Sequence, residues 1–160
     1  MILLKLVFNS ISATIGFYMK KEIEILEKFI KEKGLRYTPQ REEILNIFLS
    51  IEKHLSADEL YKIAKKKNSG IGYTTVYRTM KLLEEAGLCS ETDFGDGIRR
   101  FEHRYGHEHH DHLICLKCGS YIEVVKPKIE ELQEKLAKEK HFTPLRHKLQ
   151  IFGICGKCSK

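Results

Sequence analysis

The chain has 160 residues, 42% of them hydrophobic, with 28 basic against 22 acidic residues and a formal net charge of +6. These proportions exclude a disordered chain and leave room for one ordinary globular domain or two small ones. The basic excess fits a nucleic-acid partner but is too mild to point to one by itself.

Residues 1–18, MILLKLVFNSISATIGFY, invite comparison with a signal peptide or a membrane anchor and fit neither. Lys5, Asn9 and Ser10 break the apolar run, no small-x-small cleavage site follows, and an unbroken span of about 20 apolar residues is missing. The expectation is that Met19 is the true start and that the upstream residues come from a misplaced start codon. From Met19 to Lys33, Ile23, Leu26 and Ile30 recur at helical spacing, and Gly34 follows as a stop. Thr38-Pro39 is an N-cap with proline at the first helical position, leading into Ile44, Leu45, Phe48 and Leu49. Ser56-Ala57-Asp58-Glu59 is a capping box that opens a third helix through Leu60, Ile63 and Ala64, ended by Asn68-Ser69-Gly70. A fourth helix is predicted from about Tyr73 to Ala86, with Gly87 as its stop.

The pattern then changes to Leu88–Asp93 and Ile98–Glu102, separated by Phe94-Gly95-Asp96-Gly97, which is a hairpin signal. Short helices followed by a β-hairpin make a winged helix-turn-helix, in which one helix enters the major groove and the hairpin lies along the backbone. Beyond about Arg104 the chain reads as a strand (His109–Lys117), a strand (Ser120–Val125), a helix from Pro127 to about Lys140, and a strand (Leu145–Ile154). The fold class expected is α+β: a winged helix over residues 19–104, then over residues 105–160 a small α/β unit with a three-stranded antiparallel sheet and one helix. So small a unit buries little core and gains stability from a metal or a partner subunit.

Four of the five cysteines form two C-x-x-C pairs, Cys115 with Cys118 and Cys155 with Cys158, separated by 36 residues. Each pair supplies two thiolates from a tight turn, helped by Gly119 and Gly156, and together they close a tetrahedral structural zinc site. Thioredoxin-type redox chemistry needs a C-x-x-C at a helix start and does not explain two pairs, each near the end of a predicted strand. A reducing cytoplasm keeps such thiols available as ligands. Cys89 sits in apolar surroundings and reads as a packed side chain.

Residues 107–119, HEHHDHLICLKCG, hold more ligands than one ion needs. If 109–117 is a strand, His110 and His112 share one face while His109 and Asp111 share the other, so one segment can serve two metal sites. His54, Glu102, Glu123, Glu130 and His147 are further candidate ligands, each alone an ordinary surface residue. HEHHDH also fits H-x-H-x-D-H, the pattern of metallo-β-lactamase-type hydrolases with a two-metal site. That fold needs a far longer chain than the 48 residues that follow His112, and the reading preferred is not an enzyme.

Taken together, GLRYTPQR (34–41), HLSADELY (54–61), IGYTTVYR (71–78), HHDHLICLKCG (109–119) and CGKC (155–158) resemble the ferric uptake regulator family of metal-dependent bacterial repressors, over roughly residues 20–158. The resemblance implies a homodimer, with residues 105–160 as its dimerisation domain, that binds palindromic operator DNA when loaded with metal. It implies a regulatory ion held by His54, Glu102, His110, His112 and Glu123. A second site would be formed by His109, Asp111, Glu130 and His147. Thr74 and Thr75 suit phosphate contacts, Tyr77 could pack on thymine methyls, and Arg78 can reach phosphate or guanine. Tyr73 is expected in the core. Arg36 matches a basic residue that the family places in the A·T-rich minor groove. A regulatory sphere of nitrogen and oxygen suits Fe(II) or Mn(II), with Zn(II) as a further alternative, and iron is favoured because zinc sensors of the family often recruit sulfur. A peroxide sensor is the nearest alternative, but there an aspartate stands at the position matching Glu123. A zinc-storage protein would leave the helix-turn-helix without a purpose.

Overall fold

A computed structural model describes residues 20–51, 53–106 and 110–159. The expected misplaced start, and His109 and His107, lie outside the described residues. The chain divides into two compact units: Met1–Asp93 with Ile98–His107, and Phe94–Gly97 with Glu108–Lys160.

In the first unit, α1 (20–32) is followed by α2 (Pro39–Leu49), β1 (Leu55–Ser56), α3 (Ala57–Lys67), α4 (Tyr73–Glu85), β2 (Cys89–Asp93) and β3 (Arg99–His103). Local chemistry sets the helix ends. The Thr38 side chain accepts from the Arg41 backbone N–H, with Pro39 in the first turn of α2. Ser56 and Glu59 close a reciprocal capping box at α3, the Ser56 N–H donating to the Glu59 carboxylate at 2.8 Å. Gly87 has φ +75 just past α4, the left-handed stop that glycine adopts without a Cβ penalty.

Strands β2 and β3 pair antiparallel from Cys89↔His103 to Asp93↔Arg99, and β1 joins on the far side of β3 with Leu55↔Phe101. This winged helix-turn-helix packs around Leu26, Ile30, Ile44, Leu45, Phe48, Leu60, Val76, Met80, Leu83 and Phe101, each no more than 1% exposed. Burying an aliphatic or aromatic side chain of this size stabilises by about 1.5–3 kcal/mol, so the repeats at helical spacing are the source of the fold's stability. Glu22 of α1 is buried too, and its carboxylate pairs with the His103 imidazole of β3, as a buried charge requires.

The second unit contains β4 (Asp111–Cys115), β5 (Tyr121–Val124), α5 (Pro127–Glu139) and β6 (Gln150–Gly153), with strand order β5-β4-β6. The α+β class stands, but the sheet is mixed: β5 runs antiparallel to β4, and β6 runs parallel to it. The expected all-antiparallel sheet is therefore corrected. β5 itself returns the chain to the end where β4 begins, and after α5 and the loop that follows it β6 enters from that end in the direction of β4. The last strand is also shorter than expected, since residues 145–149 have no regular structure. None of the residues of α5 is buried within this chain. Among the described residues no helix is long and apolar enough to cross a membrane.

Candidate metal centres and nucleic-acid interface

The parallel pairing of β4 and β6 places Cys115 beside Gly153, so both strands deliver a C-x-x-C to the same end of the sheet. The first knuckle turns at Gly119, φ +69, whose N–H donates to the Cys115 carbonyl at 2.8 Å. The second closes through the N–H groups of Cys158 and Ser159, both donating to the Cys155 carbonyl at 2.9 and 3.0 Å. Gly156 is absent from the positive-φ residues, so glycine is not required there as it is at Gly119.

The four sulfurs lie within 4.8 Å of one another, with Cys118 Sγ 3.8 Å from Cys155 Sγ. The Cys155 backbone N–H donates to Cys115 Sγ at 3.3 Å, and such donation pushes the Cys115 thiol down to about 6. The Ser120 hydroxyl likewise lowers Cys118. Hydrogen bonding with Cys118 and Cys155 pushes Cys158 up to about 12. A closed set of four thiolates fits structural zinc.

In the second unit His110, His112 and Glu123 converge, their ligand atoms also within 4.8 Å of one another. Glu123 faces His112 across the β4–β5 pair, and its carboxylate is 4.0 Å from His110 Nε2. The His112 ring is packed among aromatic neighbours of the same unit. Phe94 lies 5.3 Å away between centroids, Tyr121 6.2 Å and His110 5.1 Å.

In the first unit His54 is buried and its Nε2 is 2.5 Å from Glu102 Oε2. The other Glu102 oxygen accepts from the Ser90 hydroxyl at 2.7 Å, with Thr92 Oγ1 at 3.4 Å. A third group in the second unit gathers Asp111, Glu130 and His147, with His147 Nε2 3.1 Å from Glu130 Oε2. Its fourth expected ligand, His109, lies outside the described residues. Strand alternation accounts for the split: His112 turns to Glu123, and Asp111 turns to Glu130 and His147.

On α4 the buried side is Val76, Thr79, Met80 and Leu83, which leaves Thr74, Tyr77 and Arg78 exposed and Thr75 half-buried. Tyr73 is 47% exposed and stacks on Tyr77 at 6.5 Å and 14°, while Tyr61 of α3 meets it edge-on. The expectation of a core tyrosine at position 73 is therefore corrected: at the first position of α4 its side chain points past the end of the helix pair. Arg36 is exposed, its carbonyl accepting from the Arg41 guanidinium. Ser90, Thr92, Phe94 and Tyr121 were not singled out from the sequence. Ser90 had a readable signal, since hairpin register sets it opposite Glu102.

Residues 32–152 match the Ferric uptake regulator family. The chain belongs to that family. Among curated relatives, the ferric uptake regulation protein of Rhizobium leguminosarum bv. viciae is 44% identical over 129 residues, covering 81% of this chain and 90% of that protein. Among solved structures, the Helicobacter pylori ferric uptake regulator Fur, described as revealing three functional metal binding sites, superposes with a TM-score of 0.78. It is 32% identical and covers 89% of this chain and 94% of that one. The ferric uptake regulator from Pseudomonas aeruginosa with manganese gives a TM-score of 0.71 at 30% identity, covering 81% of this chain and 97% of that one. As a ferric uptake regulator family member the chain is a metal-responsive, DNA-binding transcriptional regulator that acts as a dimer, and the relatives are named as regulation proteins. The metallo-hydrolase reading of HEHHDH falls away with that.

Proposed function

We propose that this chain is an Fe(II)-responsive repressor of metal-uptake genes, working in the cytoplasm as a homodimer on palindromic, A/T-rich operators. The observation that carries the reading is the donor set. His110, His112 and Glu123 converge in the second unit, while His54 and Glu102 pair in the first, and none of these is sulfur. Nitrogen and oxygen donors suit Fe(II), or Mn(II) as the second reading, whereas the sulfur ligands are already drawn into a separate cluster.

In this reading the two half-sites complete one regulatory site, and a divalent cation there supplies the charge that lets two carboxylates and three imidazoles share one space. Without it, His54 and Glu102 pair with each other. With it, the ligands of both units are committed to one arrangement, which fixes the spacing of the two α4 helices in the dimer. Asp111, Glu130 and His147, with His109, hold an auxiliary ion. Cys115, Cys118, Cys155 and Cys158 hold structural zinc that pins β6 to β4, and its binding free energy becomes folding free energy.

The second copy is called for by apolar surface. Leu132 and Leu136 of α5, Phe142 and Leu145 beyond it, and Ile122 and Ile151 of the sheet are all at least 51% exposed, large apolar side chains that a second copy would cover. On the DNA side, Thr74 and Thr75 contact phosphate, Tyr77 and Arg78 read base edges, and Arg36 enters the minor groove.

Anaerobic titration of an A/T-rich palindrome with the zinc-loaded protein tests the reading, with Fe(II), Mn(II) or Zn(II) added and each arm repeated after peroxide. Tight binding with Fe(II) that survives a low dose of peroxide is expected. Binding that ignores all three metals refutes the proposal, and loss after peroxide reassigns it to a peroxide sensor.

A further inference from the structure

Four residues between β2 and β3, Phe94–Gly97, belong to the second compact unit, although the strands that they join belong to the first. Phe94 is 4% exposed. Its ring is 5.3 Å from the His112 imidazole and 4.7 Å from the Tyr121 ring, while Tyr121 and His110 each meet His112 edge-on at 6.2 and 5.1 Å. Gly95 adds a second fit. It has φ +84, and a Cβ there would stand 3.0 Å from Phe152 Cε1 and 3.7 Å from Leu116 Cδ2. Burial, ring contacts and the close approach at Gly95 all show a turn shaped to this unit.

We propose that Phe94, backed by Tyr121, is a positioning residue for His112: it holds the imidazole in the orientation that regulatory metal binding needs. The proposal rests on His112 being a ligand of the regulatory site. A histidine side chain in solvent samples several rotamers and must give them up on coordination. One confined between aromatic rings has given them up on folding, so affinity rises with no bond from the confining residue to the ion. A phenyl ring has no donor or acceptor, so it limits rotation without competing for either ring nitrogen.

Mn(II) affinity of the full-length, zinc-loaded protein, read from the free-ion EPR signal, tests this in Phe94→Ala, Phe94→Leu, Tyr121→Leu and His112→Ala. His112→Ala is expected to lose the site. Phe94→Ala should weaken Mn(II) about tenfold, the low end of the 10–100-fold effect typical of residues that orient metal ligands. Phe94→Leu, which keeps most of the volume, should recover part of that loss. Zinc content and dimer mass should not change, and in Phe94→Ala the His112 ring resonances of the zinc-loaded protein before Mn(II) is added should lose the part of their ring-current shift that the Phe94 ring supplies. Should His112→Ala abolish binding while the Phe94 variants bind like the parent, the positioning role is overturned. Unchanged affinity in His112→Ala instead removes the regulatory assignment on which it rests. If Phe94→Ala does not keep its zinc, Phe94→Leu and Tyr121→Leu carry the same comparison.

Discussion

Replacing Leu132 and Leu136 together by serine should dissociate the dimer without unfolding the protomer. Both side chains project from α5, a helix with no buried residue in the single chain, and they are 66% and 57% exposed. Full burial of a leucine side chain stabilises by about 2 kcal/mol; scaled by these exposures, covering the pair gives about 2.5 kcal/mol per protomer. A two-fold interface uses the patch twice, and allowing for the Cβ that serine retains leaves about 4 kcal/mol. That is about a thousandfold in the dimer dissociation constant. Sedimentation equilibrium over a concentration series measures it directly, with zinc content and far-ultraviolet circular dichroism showing that each protomer is intact. A double variant that dissociates at the parent concentration would refute the assignment of this face to the second copy.

Two further outcomes follow from single sites. Ser56→Ala removes the side-chain half of the α3 capping box, the acceptor for the Glu59 N–H, while the backbone N–H of residue 56 keeps the Glu59 carboxylate. It should lower the stability of the winged helix by about 1 kcal/mol, seen as a drop in its melting temperature while zinc content stays the same. The Cys115 thiol is held down to about 6 by the Cys155 N–H, below its value in an unfolded chain. Its thiolate therefore contributes fully above the unfolded value and is lost as pH falls through the folded one. Protons compete with zinc for these thiolates, so chelator-accessible zinc should rise as the solution is made acid; zinc content that does not respond to acid would contradict the four-thiolate assignment.

Features set by neighbouring residues were legible in the sequence. Thr38-Pro39, the Ser56–Glu59 box and the turn at Phe94–Gly97 announced their elements because caps and tight turns are satisfied within a few residues. Strand alternation likewise sorted His112 from Asp111. Direction and partnership were not legible, because side-chain period is the same in either sense of a strand. The antiparallel expectation for β6 was nevertheless at odds with the zinc expectation. Two C-x-x-C pairs, each following a strand in the chain, can meet only if β4 and β6 end on the same side, which requires the parallel pairing observed. β1 has two residues and exists through its pairing with β3 about 45 residues later, so nothing local marks it. The contacts of Phe94 with His112 and of Glu22 with His103 depend on tertiary packing in the same way. The exposure of Tyr73 follows from its place at the first turn of α4, where helical period alone assigns an inward face.

The central claim is that His54 of the first unit and His112 of the second serve one ion. A double-mutant cycle on Mn(II) binding by the zinc-loaded protein tests it most directly. With a shared ion, His54→Ala and His112→Ala each remove the same high-affinity equivalent, and combining them costs nothing more. Losses that add, with a separate Mn(II) equivalent disappearing for each substitution, would show two independent sites and contradict the account.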